Sequence, residues 1–182
     1  TANIFIPNTV GTGNKFLLFE VDRANQQAET DETDNVKAIP IQIGAPNLTI
    51  SGTPTAPSSA SLGETISLEY TVTNNGSFTA PANWSDRFYI SDDATLDNSD
   101  TFITSLNTFS DTPLAAGDSY TKTLNVPIRN TVGRGNKFLL FEVDGSKQQG
   151  ETDETDNVKA IPIQIGAANL QVSDATVPTF AS

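Results

Sequence analysis

The 182-residue chain contains no cysteine, no histidine and no methionine. Without cysteine there is no disulfide framework, so an apolar core must hold the fold; this suits a secreted bacterial protein as well as a cytosolic one. Without histidine the commonest general base is missing. With neither histidine nor cysteine, transition-metal sites are disfavoured. The lack of any methionine places the start codon outside this stretch, so a mature product or an internal fragment is expected. No apolar run approaches the roughly 18 residues of a membrane-spanning helix, and no signal-peptide pattern is present. Positive charge is scarce as well: 10 Lys and Arg stand against 22 Asp and Glu, for a net charge of −12. Such a chain repels phosphate backbones, which excludes nucleic acid as a partner, and it attracts cations.

What is present is a repeat. Thr9–Leu48 recurs as Thr131–Leu170, 122 positions on (131 less 9). The aligned positions that differ are Thr12/Arg134, Arg23/Gly145, Ala24/Ser146, Asn25/Lys147, Ala28/Gly150 and Pro46/Ala168. The period is a normal domain size. One complete module is expected over residues 45–166. Residues 1–44 then form the C-terminal part of a preceding module, and 167–182 the first strand of a following one.

Within the module, β-branched and aromatic residues alternate with polar ones, the signature of half-buried strands. The patterns predict seven strands, over 47–51, 65–73, 84–91, 101–109, 119–127, 137–144 and 158–165. In the second, Ile66, Leu68, Tyr70 and Val72 alternate with Thr, Ser and Glu. Asn74-Asn75-Gly76 is turn chemistry. No segment has useful helical periodicity. The expected fold is therefore all-β: an Ig-like Greek-key β-sandwich of seven strands, repeated in tandem. Trp84, Leu68, Tyr70, Phe88 and Phe141 are the predicted core.

Four pieces of the module occur in a recognisable order: WSDRFYISDDATLDNSD (84–100), LAAGDSYTKTLNVPI (114–128), GNKFLLFEVD (135–144) and ETDETDNV (151–158). Together they resemble the CARDB family, the "cell adhesion related domain found in bacteria". The resemblance implies an Ig-like sandwich on bacterial surfaces, often in tandem and often appended to other domains, and it does not imply a catalytic activity.

Two carboxylate clusters lie on loops. The first, between the third and fourth strands, holds Asp92, Asp93, Asp97 and Asp100, with Asp86 upstream. The second, between the last two strands, holds Asp144, Glu151, Asp153, Glu154, Asp156 and Asn157. Its copy in the preceding module carries Asp22, Glu29, Asp31, Glu32, Asp34 and Asn35. Calcium needs roughly six to eight oxygens, which such loops can supply, so calcium is the expected cofactor. A solvated acidic surface is the alternative. In a tandem array the first cluster of one module would face the second cluster of the next, where a cation would relieve repulsion and stiffen the chain.

The expected function is an extracellular structural or adhesive array, a head-to-tail fibre or surface stalk with other copies of the same repeat as partners. The alternative is a glycan-binding or accessory module of a secreted enzyme, with Trp84, Tyr89 and Tyr120 stacking on surface glycans. A two-carboxylate glycosidase would need a cleft with opposed acids, and acids confined to loops do not provide one.

Overall fold

A computed structural model describes residues 3–81 and 83–167. The expected strand in 167–182 therefore lies almost wholly outside the described residues. A short helical turn, Asn8–Val10, precedes a hairpin of β1 (Gly13–Glu20) and β2 (Val36–Ile43). The module follows with β3 (Leu48–Thr55), β4 (Ser59–Ser61), β5 (Thr65–Asn74), β6 (Ser85–Ser91), β7 (Thr101–Asn107), β8 (Ser119–Pro127), β9 (Gly135–Glu142) and β10 (Val158–Gly166).

These strands form two sheets, ordered β3-β5-β8 and β4-β10-β9-β6-β7, that share one core. The alternation read from the sequence is the alternation of burial. On β5, Ile66, Leu68, Tyr70 and Val72 point inward while Thr65, Ser67 and Glu69 face water. Trp84, Leu68, Tyr70, Phe88 and Phe141 are each no more than 2% exposed. Phe88 and Phe141 meet edge-on at 5.6 Å, and Tyr70 meets Phe88 edge-on at 5.2 Å, the geometry favoured by aromatic quadrupoles.

Among the described residues the module has eight strands where seven were expected, because the first strand splits between the two sheets. Its first part, β3, pairs antiparallel with β5. The ladder then shifts between Ser51 and Thr55, with Gly52 at φ 67°, and the chain crosses over. The second part, β4, pairs in parallel with β10. Only Ala60 of β4 is buried, so three residues offered no apolar alternation to read. Strand β7 joins β6 rather than β8, leaving β5 flanked by β3 and β8.

The two sheets are also tied by polar atoms. Asp86, on β6, is 1% exposed. Its Oδ2 accepts the hydroxyls of Tyr70 on β5 at 2.7 Å and of Tyr120 on β8 at 2.6 Å. The indole of Trp84 donates to the Tyr120 oxygen at 3.2 Å. Burial pushes the Asp86 carboxyl up to about 6, against the pull of the hydrogen bonds it accepts. The same burial, next to this carboxylate, drives both tyrosine hydroxyls well above their ordinary value.

The hairpin repeats β9–β10 in sequence and in register, but not in surroundings. Leu139, Leu140, Phe141 and Val143 are no more than 1% exposed. Among their counterparts, Leu18 is 67% exposed, Phe19 47% and Val21 63%. The same letters are core in one copy and surface in the other, because only one copy has an opposing sheet among the described residues.

Trp84→Ala should destabilise the module by about 3–5 kcal/mol, as buried aromatic truncations do, in urea unfolding followed by tyrosine fluorescence. A loss below about 1 kcal/mol would show that Trp84 does not anchor the core.

Candidate functional site

The acidic loops are built by their own backbone. Between β6 and β7, the Asp93 carboxylate accepts the Thr95 N–H at 2.7 Å, and Asp97 accepts Ser99 N–H at 2.7 Å and Ser99 Oγ at 2.6 Å. Asp100 turns back to accept the Asp97 N–H at 2.7 Å. Asp92 leaves this set and pairs with Lys137 at the start of β9. Short acidic side chains cap backbone donors two or three residues away, which closes a tight loop without help from other elements. Asp86 does not join the loop; it is the core carboxylate described above. Of these oxygens, Asp100 Oδ1 is buried without a hydrogen-bond partner.

The β9–β10 loop follows the same logic. Asp144, at φ 46°, accepts the N–H groups of Gln148 at 2.9 Å and Gln149 at 2.6 Å. Asp153 accepts Thr155 N–H at 2.9 Å and its hydroxyl at 2.6 Å, and Glu154 accepts the Glu151 N–H at 3.2 Å. Glu154 also lies 3.8 Å from Lys147. The copy in the hairpin makes the same bonds without any covering sheet. Asp22, at φ 40°, accepts Gln26 and Gln27 N–H, both at 2.8 Å. Asp31 accepts Thr33 N–H at 2.8 Å, and Glu32 accepts Glu29 N–H at 3.0 Å. Asp34 is exposed. The loop conformation is thus locally encoded.

In the module this loop also latches the entering chain. Glu151 accepts the Leu48 N–H and holds the Asn157 side-chain amide at 2.9 Å. Asp156 accepts the Asn47 side-chain amide at 3.1 Å, and the Asn47 side-chain oxygen accepts Asp153 N–H at 3.0 Å. Thr152 N–H donates to the Pro46 carbonyl at 3.0 Å. Burial pushes Glu151 up to about 7, and the nearby Glu154 and Asp144 add to the rise. Asn74, fully buried, completes the latch. Its oxygen accepts Asn47 and Gly76 N–H at 3.1 and 3.0 Å, and its amide donates to the Phe78 and Leu114 carbonyls at 2.8 and 3.0 Å. The sequence marked Asn74 only as a turn residue. A buried asparagine has no pattern of its own when its partners lie up to 40 positions away.

The predicted ligands therefore lie on three separate loops, with Glu29, Asp31, Glu32 and Asp34 together between β1 and β2. Asp93, Asp97 and Asp100 share one loop, and Glu151, Asp153, Glu154, Asp156 and Asn157 share another. Among the described residues, no three Asp or Glu side chains converge in a geometry that could hold a metal ion. The predicted stacking residues are not a platform: Trp84 and Tyr120 are buried. Tyr89 is half-buried, its ring 5.6 Å from that of Phe102 and its hydroxyl on Glu142 at 3.1 Å.

Where the hairpin meets the module there is a cleft. One wall is the turn before β1, with Ile6, Pro7, Gly11 and Thr12. The other is Gly150, Glu151 and Thr152 of the latch, and Gly44 and Phe78 lie between them. A Cβ on Gly44 would fall 1.8 Å from the Phe78 ring, so the linker must be glycine for the ring to pack against it.

The CARDB family model matches residues 45–161. The chain belongs to the CARDB family. Among solved structures it is similar to the crystal structure of a CARDB domain from Pyrococcus furiosus in complex with di-metal ions, at 18% identity and a TM-score of 0.51, covering 70% of this chain and 100% of that one. The solution structure of a Pyrococcus furiosus CARDB domain matches at 18% identity and a TM-score of 0.48, covering 68% and 97%. A beta-glucosidase from Listeria innocua in complex with glucose matches at 14% identity and a TM-score of 0.43; 80% of this chain is covered but only 20% of the enzyme. No curated protein matches the sequence. At 18% identity the crystal structure of the CARDB domain bears on the fold alone.

The latch should respond to pH. Glu151 binds its proton more tightly in the folded chain than unfolded, where its ordinary value is 4.5, so it adds stability as pH falls from about 7 and loses it as pH rises through that value. Asp86 acts in the same sense around 6. In urea unfolding between about pH 5 and about pH 8, Glu151→Gln should lose stability relative to the native chain as pH is lowered. Parallel curves for the two proteins would show that Glu151 is not perturbed.

Proposed function

We propose that the protein is a non-catalytic, extracellular array of CARDB modules in head-to-tail series, serving as an adhesive stalk or fibre. The observation that carries this reading is the hairpin. β1–β2 carries the same residues as β9–β10 and holds the same register, yet exposes Phe19 by 47% and Val21 by 63%, where their counterparts Phe141 and Val143 lie in the core. A two-stranded sheet is marginal alone in water. Its apolar face calls for an opposing sheet like β3-β5-β8, which is what a preceding module of the same kind provides. Near-identity of the copies supports series repetition of one module. The latch and the Gly44–Phe78 contact support a stiff rather than a swivelling connection.

A glycan-binding accessory role is the weaker reading, because two of its three stacking residues are core. Calcium remains a proposed stabiliser of the β6–β7 loop, where Asp100 keeps one buried oxygen without a partner beside Asp93 and Asp97. Calorimetric titration with millimolar calcium should give chelator-reversible heat if the ion binds. A flat titration with no shift in melting temperature removes calcium and leaves the array unaffected.

The array reading is tested by adding residues 45–122 ahead of residue 1, which keeps the period. Amide exchange at 16–20 should then slow to the level of 138–142, the identical segment in the complete module. Unchanged exchange in the extended chain, or equal protection in the 182-residue chain, would overturn it.

A further inference from the structure

The joint between hairpin and module is also a template. Its first wall is a turn closed by the Val10 N–H on the Pro7 carbonyl at 3.0 Å, with Gly11 at φ 70° and Gly13 at φ 102°. The trailing end of the complete module repeats that turn. Val132 N–H donates to the Arg129 carbonyl at 3.1 Å, with Gly133 at φ 80° and Gly135 at φ 118°. The shape is kept and the chemistry is changed: Pro7 becomes Arg129 and Thr12 becomes Arg134. Both arginines are exposed, and neither forms an ion pair among the described residues. They are two of the ten basic residues in a chain of net charge −12.

The wall that faces this turn across the first joint belongs to the latch. Glu151 lines the cleft, and Asp153 follows it, exposed and held below the ordinary carboxylate range by the Thr155 hydroxyl and N–H. In the first joint, proline and threonine meet this acidic wall. After Gly166, the counterpart of Gly44, arginines occupy the same two places. The sequence Ala167-Ala168-Asn169-Leu170 repeats Ala45-Pro46-Asn47-Leu48, so the segment that enters a module's latch recurs at the right distance.

We infer that Arg129 and Arg134 form a docking surface for the acidic β9–β10 loop of a following module of this same kind. The inference rests on the array reading and goes further, assigning one joint an electrostatic clamp that the other lacks. It also reverses the expectation that acid meets acid at each junction. The turn before β9 brings the positive charge, and the loop it meets brings the negative charge, so this contact needs no cation. Exposed ion pairs are individually weak and screened by salt. The clamp is therefore a joint whose stiffness depends on ionic strength.

The test uses the whole chain with residues 45–122 placed ahead of residue 1 and residues 61–182 placed after residue 182, which preserves the period and gives three complete modules. The chain has no cysteine, so single-cysteine pairs can carry spin labels. Labels at Lys37 and the Glu69 that follows it span the first joint; labels at Lys159 and the Glu69 of the C-terminal addition span the other. Distance distributions are measured by pulsed electron resonance from about 0.01 M to about 1 M salt, over which the screening length falls from about 30 Å to about 3 Å. The second joint should be narrow at low salt and broaden by about twofold at high salt, and R129Q/R134Q should be broad throughout. The first joint should not respond to salt. If both joints are narrow and indifferent to salt and to the arginine changes, the clamp is wrong and the array reading stands. If both are broad under all conditions, the modules are not stiffly joined and both readings fall.

Discussion

A β-sheet with one apolar face cannot bury that face by itself, and every larger feature of this chain follows from that constraint. Residues 45–166 satisfy it by folding two sheets over a shared core. The β1–β2 hairpin has the same face, a loop with the same carboxylate caps and no second sheet among the described residues. Because the two copies agree residue for residue over β1 and β9, their difference in exposure measures context alone. The comparison also separates what a segment decides for itself from what it borrows. Strand register, the left-handed residues Asp22 and Asp144, and the carboxylate caps are the same in both copies. Burial is not.

That separation explains how much could be read from the sequence. Strands with strong alternation were legible: the expected span 119–127 is β8, and the core positions Leu68, Tyr70, Trp84, Phe88 and Phe141 are buried. Strand β4 was not, since its position depends on a parallel partner more than 100 residues away. The acidic loops were located correctly, but what their oxygens face could not be read. An aspartate followed two residues later by serine or threonine serves a backbone cap as well as it serves a cation. Here Asp93, Asp97 and Asp153 take the cap. Asp86 illustrates the opposite failure, since its proximity to the acidic loop concealed a carboxylate belonging to the core. Only the register of β6 against β9, with β5 and β8 in the facing sheet, reveals it.

The core is accordingly not purely apolar. A carboxylate shared by Tyr70 and Tyr120 costs desolvation, as its raised proton affinity records. In return it fixes which residues of the two sheets stand opposite each other. The two hydroxyls meet on one carboxylate oxygen, and the indole on the Tyr120 hydroxyl, when the sheets are placed this way. Leucines would fill the volume while tolerating a slide.

The split first strand has a mechanical meaning. β4 lies close to where the chain enters the module, and β10 is where it leaves; the two run parallel, with Ser59, Ala60 and Ser61 beside Gln164, Ile165 and Gly166. A pull on the two ends of the module draws these strands past each other lengthwise. The bonds between them are then loaded together in shear, rather than opened one after another as in a peeled hairpin. Antiparallel β3, attached to the other sheet, lies in the same path. Tension carried along the chain is thus passed to both sheets before it reaches the core.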